Sequence, residues 1–146
     1  MKIVILGAGA MGSMFGAMLA EAGESVVLLD VNEAHLRAMR TAGLRLETDR
    51  DERRVTALRA CRREEGNGAP DLLVIFTKTV HIRTALAAAR QLLGPRTFVL
   101  TLQNGLGNVE AITDFVPLDR VLVGETYGRP LGRSWPSPPP STACAR

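Results

Sequence analysis

The stretch Gly7-Ala8-Gly9-Ala10-Met11-Gly12 sets three glycines at the spacing that lets a backbone wrap a pyrophosphate. Gly7 permits a tight turn, Gly9 lets the main chain approach the anion, and Gly12 allows the following helix to pack closely on the preceding strand. The free N–H groups and positive dipole end of that helix then face the phosphates. Asp30 stands 18 residues beyond Gly12. A carboxylate there can accept hydrogen bonds from a ribose 2′-hydroxyl and repels a 2′-phosphate, which favours NAD over NADP. The plain alternative is an acid capping the turn into the next helix, a task for which Asn32 is also available.

Two further groups invite a chemical reading. Lys78 directly follows the apolar run Asp71–Thr77, in a chain with only two lysines, Lys2 and Lys78, among 18 basic residues. A compact ammonium at a strand end can hold a substrate carboxylate or carbonyl oxygen. The segment Thr101-Leu102-Gln103-Asn104-Gly105-Leu106-Gly107-Asn108 contains an Asn-Gly pair that usually marks a hairpin. A hairpin needs a second strand at once, but "LGNVEAITDF" reads as a helix start. Gln103 and Asn104 therefore fall on a strand-to-helix loop, where the Asn104 amide offers both a donor and an acceptor.

These residues need elements to position them, and the sequence supplies an alternation. Lys2–Leu6 reads as a short buried strand, and Met11, Met14, Phe15, Met18 and Leu19 come next at helical spacing as an apolar core-packing face ending at Gly23. Ser25–Leu29 is a second strand, and a helix capped by Asn32 runs to about Thr41, before Gly43. Residues 44–57 read as a hairpin whose charged run Thr48–Arg54 is a solvated tip, and Cys61–Pro70 as a polar loop. Strands at 71–77, 97–102 and 120–123 alternate with helices at 79–93 and 108–115. The pattern predicts an α/β doubly wound parallel sheet, Rossmann-like, in a single domain. Ligands in such sheets bind beyond the carboxyl ends of the strands. That places Gly7, Ala8, Gly9, Ala10, Met11, Gly12, Asp30, Thr77, Lys78, Gln103 and Asn104 on one edge.

The net charge of +3 does not argue for nucleic acid. Residues 129–146 hold three arginines, no acid and five of the eight prolines, which leaves residues 1–128 with 15 basic and 15 acidic side chains. The division is thus a domain over 1–128 and a Pro/Arg-rich irregular tail over 129–146. No window reaches the roughly 18 consecutive apolar residues of a membrane span, and the N-terminus does not read as a signal peptide. A cytoplasmic location is the default expectation. Cys61 and Cys144 lack disulfide or metal-type spacing and are expected to be free thiols. His35 and His81 read as surface or helix-packing residues, and no metal site is expected.

Taken together, "KIVILGAGAMGS", "LLVIFTK", "LQNGLGN" and "RVLVGET" resemble the N-terminal domain of the ketopantoate reductase (2-dehydropantoate 2-reductase) family, over about residues 1–128. The resemblance implies hydride transfer from NAD(P)H to the keto group of a 2-oxo acid, a step of pantothenate biosynthesis if that acid is ketopantoate. It implies that the glycine loop binds the cofactor, that Lys78 lies close to nicotinamide and substrate, and that Asn104 contacts both. The family also has a helical second domain that supplies a proton-donating lysine; the 146 residues are expected to stop before that domain, and the chain alone is then expected to be inactive. A homodimer is expected only where that domain is present. Many members have an arginine where Asp30 stands, selecting NADP. The competing readings are a non-catalytic dinucleotide-binding module and another NAD-dependent 2-hydroxyacid dehydrogenase.

Overall fold

The computed structural model describes residues 1–47, 52–103 and 107–125. The expected tail 129–146, with Cys144, and most of the charged tip at 48–51 lie outside these residues.

Six parallel strands form one sheet: β1 (Lys2–Leu6), β2 (Ser25–Asp30), β5 (Leu58–Arg62), β6 (Leu72–Ile75), β7 (Phe98–Thr101) and β8 (Val121–Val123). Their spatial order is β5-β2-β1-β6-β7-β8. The chain builds outward from β1 in one direction, then crosses back to β6 and builds in the other. The strand order therefore reverses between β1 and β6, the crevice where open α/β sheets take their ligands. A separate antiparallel hairpin, β3 (Leu44–Glu47) with β4 (Glu52–Val55), stands where the sequence predicts one.

Alternate residues of the central strands feed two cores. Ile3 and Ile5 of β1, Leu28 of β2 and Val74 of β6 pack with Leu36, Met39 and the hairpin on one face. Val4, Leu6, Leu73 and Ile75 pack on the other with Ile82, Leu86 and Ile112. Burying a side chain such as Leu or Ile contributes roughly 1.5–3 kcal/mol, and both faces are covered, as parallel sheets require. The helices are α1 (Ala10–Glu21), α2 (Glu33–Ala42), α3 (Ile82–Ala88) and α4 (Asn108–Thr113).

Three expectations need correction. The methionine stripe of α1 is not its buried face. Gly12, Ser13, Gly16, Ala17 and Ala20 are buried instead, whereas Met11 and Met18 are exposed. The reason is close approach: a Cβ on Gly16 would lie 2.6 Å from Leu28 Cδ2, and one on Gly12 only 2.0 Å from the Gly7 carbonyl oxygen. Small residues set the distance between helix and sheet here, and the larger apolar side chains Met14, Phe15 and Leu19 pack around the rim.

The polar loop expected from Cys61 begins too early. Cys61 and Arg62 close the edge strand β5, paired in parallel with β2. An edge strand rich in arginine carries little hydrophobic signal, and only Ala60 is fully covered. Lastly, the helix expected over 79–93 is shorter. Single 3-10 turns at Thr79–His81 and Arg90–Leu92 flank α3, because a tightened end turn satisfies carbonyls that have no α-helical partner.

Candidate functional site at the carboxyl edge of the sheet

The glycine loop leaves β1 at the crevice and is held there by its neighbours. Gly7 has φ +106°, and a Cβ on it would come within 2.9 Å of the backbone of Phe76 and Thr77 at the end of β6. The Gly7 N–H donates to Leu29 O at 2.8 Å and the Phe76 N–H to Leu6 O at 2.9 Å. The loop is thus sewn to the ends of both β2 and β6.

Ala8 is fixed by three side chains. Its N–H donates to Asp30 Oδ2 at 2.6 Å. Its carbonyl oxygen accepts from Ser13 Oγ at 2.9 Å and lies 2.8 Å from His35 Nε2. With both partners converging on one carbonyl, the imidazole carries its proton on Nε2 and donates. His35 is buried, so the sequence reading of it as surface or packing is half right: it packs, and it also ties α2 to the loop. Its place on the first turn of α2, three residues after the cap, is the one signal the sequence offers for this. The Asn32 side chain accepts from the His35 N–H as the predicted cap.

Asp30 ends β2 as the fingerprint requires. Besides Ala8, its carboxylate accepts from the N–H groups of Val31 at 2.7 Å and Asn32 at 3.0 Å through Oδ1. It therefore shapes the loop and caps the turn at once. Oδ2, with one donor, keeps a second lone-pair site at which a ribose hydroxyl can be received.

The remaining site residues follow the other strands. Thr77 is buried, and its Oγ1 has no hydrogen-bond partner among the described residues. Lys78 is exposed immediately beyond it. Gln103 follows β7, its carbonyl accepting from Asn108 Nδ2 at 3.2 Å while its side-chain Oε1 is buried without a partner among the described residues. Asn104 lies outside the described residues. The structure thus gathers the glycine loop, Asp30 and Thr77 in direct contact, with Lys78 and Gln103 on the same edge.

This edge fits a dinucleotide. Gly9 is exposed, and a Cβ on it would meet nothing within 4 Å, so the backbone there is open to an approaching anion. Among the described residues no side chain caps the N-terminus of α1, and no acid lies in its first turn. Uncapped N–H groups without a competing carboxylate leave the dipole free for phosphate. Beside Asp30, Arg62 is its register partner on β5. Glu33 accepts from Arg62 Nε at 2.8 Å and from Arg40 Nη2 at 2.5 Å. The hydrogen bond from Arg62 holds the Glu33 carboxyl below the usual carboxylate range.

A cavity of about 530 Å³ lies elsewhere, between the end of α2 and β5, lined by Met39, Gly43, Thr56, Leu58 and Cys61. None of the site residues lines it. Among the described residues no cluster of His, Cys, Asp and Glu could hold a metal ion, and no helix is long and apolar enough to cross a membrane.

Comparison with known proteins agrees with this geometry. Residues 3–129 match the family described as Ketopantoate reductase PanE/ApbA. A 2-dehydropantoate 2-reductase from Streptococcus pyogenes serotype M3 is 33% identical over 126 residues, covering 86% of this chain and 40% of the relative. One from Pyrococcus abyssi is 40% identical over 116 residues, covering 79% and 37%. Among solved structures, D-mandelate dehydrogenase with NADH and anilino(oxo)acetate superposes with a TM-score of 0.81 at 35% identity, covering 86% of this chain and 40% of that one. The chain belongs to the ketopantoate reductase family, and it spans about 40% of the length of the curated relatives it matches.

Proposed function

We propose, from that membership, that the chain binds a reduced nicotinamide dinucleotide across the β1/β6 crevice and serves hydride transfer to the keto carbon of a 2-oxo acid, ketopantoate first among candidates. The observation that carries the reading is the Ala8 clamp. Three side chains from α1, β2 and α2 hold one residue of the glycine loop by its N–H and its carbonyl, while Gly9 next to it stays open. A loop fixed in advance loses little entropy when the pyrophosphate arrives.

In this reading Gly7, Gly9 and Gly12 with the N–H groups of Gly9 to Met11 surround the pyrophosphate, and Asp30 receives the adenosine ribose. Thr77 and Gln103 offer to the nicotinamide half the side-chain oxygens that have no partner among the described residues. Lys78 places an ammonium where the carbonyl oxygen gains negative charge, and Asn104 holds the same substrate by its amide. The cofactor supplies the hydride. NAD is preferred over NADP because a 2′-phosphate would meet the Asp30 carboxylate.

The D-mandelate dehydrogenase neighbour favours a second substrate reading, an aryl-substituted 2-oxo acid with NADH. Both readings are tested together. Titration calorimetry with NADH should show saturable binding by the 146-residue chain, and failure to bind overturns the proposal. Loss of NADH absorbance is then followed with ketopantoate and with phenylglyoxylate, using the chain alone and joined to the remainder of a relative. Turnover of either acid only in the joined protein is the expected result.

A further inference from the structure

The acid at the end of β2 is not the only acid at the ribose corner. Asp30 and Arg62 are register partners at the carboxyl ends of adjacent strands, so their Cα atoms lie on the order of 5 Å apart. A 2′-phosphate turned away from Asp30 would thus face a guanidinium one strand over. Arg62 does not stand free to receive it. Its Nε donates to Glu33 Oε2 at 2.8 Å, and Arg40 Nη2 donates to the other oxygen of the same carboxylate at 2.5 Å. Glu33 is the first residue of α2, three positions beyond Asp30, and so belongs to the same corner.

We propose that Glu33 is a specificity-determining residue: by holding Arg62 and Arg40 on one carboxylate, it withholds from a 2′-phosphate the cations that would otherwise admit it. The proposal rests on the reading that Asp30 marks the adenosine-ribose end of the site. Selection against NADP then has two parts. Asp30 repels the phosphate directly, and Glu33 removes its counter-charges. The charges at the corner support this: Asp30 and Glu33 match Arg40 and Arg62, and Glu64 and Glu65 also act on Arg62, so an arriving dianion finds no surplus positive charge among these groups. Neutralising Glu33 removes the ion-paired carboxylate that the two guanidinium groups share and shifts that balance by one unit toward cation. The pairs are half exposed, and such pairs are individually weak. The expected gain is therefore modest, about three- to tenfold.

The test is the ratio of NADPH to NADH affinity, measured by fluorescence titration at low salt for the unmodified chain, Glu33→Gln, Glu33→Gln with Arg62→Gln, and Asp30→Asn. Glu33→Gln should raise the ratio about three- to tenfold, the gain should shrink at high salt, and removing Arg62 in the same chain should cancel most of it. A ratio unmoved by Glu33→Gln but raised by Asp30→Asn overturns the role of Glu33 and leaves the ribose corner standing. A ratio unmoved by either substitution overturns both.

Discussion

The imidazole Nε2 of His35 lies 2.8 Å from the carbonyl oxygen of Ala8, joining the first turn of α2 to the glycine loop. The same oxygen accepts from Ser13 Oγ, so losing either donor leaves it one partner and losing both strands a buried carbonyl. A stranded buried acceptor costs about 1–3 kcal/mol. His35→Ala and Ser13→Ala are therefore expected to be worse together than the sum of the singles. A double-mutant cycle on urea unfolding checks this. Additive losses would show that the two donors act independently of the shared oxygen.

Cys61 is unpaired and half-buried on the edge strand β5, and burial pushes its thiol pKa up. A raised acid pKa in the folded state means that the native protein keeps a proton the unfolded chain releases. Stability from this group is thus unaffected at neutral pH and falls as pH rises above the unfolded thiol value. In a Cys144→Ser chain, alkylation by iodoacetamide at about pH 8, near the ordinary thiol value, is expected to be slower than that of glutathione. It should reach the glutathione rate once the chain is unfolded in urea. Equal rates in the folded chain would contradict the burial effect.

Sequence reading recovers what local chemistry dictates. The glycine spacing, the acid ending β2 and the Asn32 cap are each written in a short local pattern, and each stands where that pattern puts it, even though Asp30 reaches back 22 residues to Ala8. It fails where neighbours decide. The face that α1 buries depends on Gly7 and Leu28 lying within 3 Å of any Cβ at Gly12 and Gly16, a relation no periodicity encodes. Strand β5 is hidden because Arg59 and Arg62 sit at a sheet edge, where half the surface stays in water and hydropathy carries little signal. His35 looks ordinary because its partner, Ala8, is 27 residues away and offers only a carbonyl.

Lys78 is exposed directly after Thr77, and its ammonium makes no hydrogen bond or ion pair among the described residues. Lys78→Ala should leave the unfolding free energy within about 0.5 kcal/mol of the unmodified chain. If the ammonium meets the substrate, the same change should lower the rate of 2-oxo acid reduction about a hundredfold in the chain joined to the remainder of a relative. A fall in melting temperature with unchanged turnover per folded molecule would mark the residue as structural.

Gly9 and Gly12 allow stability and binding to be separated within one loop. At Gly12 an added Cβ would lie 2.0 Å from the Gly7 carbonyl oxygen, which is backbone and cannot swing aside. Gly12→Ala must therefore push α1 off the sheet or reshape the loop, and a loss of several kcal/mol in stability is expected, in the upper range for overpacking. At Gly9 the outcome reverses. Its φ is −68°, accessible to any residue, and the added methyl meets no atom of the described residues within 4 Å. Gly9→Ala should leave stability unchanged or raise it by about 0.4–1 kcal/mol through the unfolded chain. The methyl would nevertheless occupy the space through which a pyrophosphate approaches the main chain, so NADH affinity should fall at least about tenfold. Thermal unfolding and calorimetric titration of the two variants, side by side, check both halves. Full NADH affinity in a stable Gly9→Ala chain would remove the pyrophosphate from this loop.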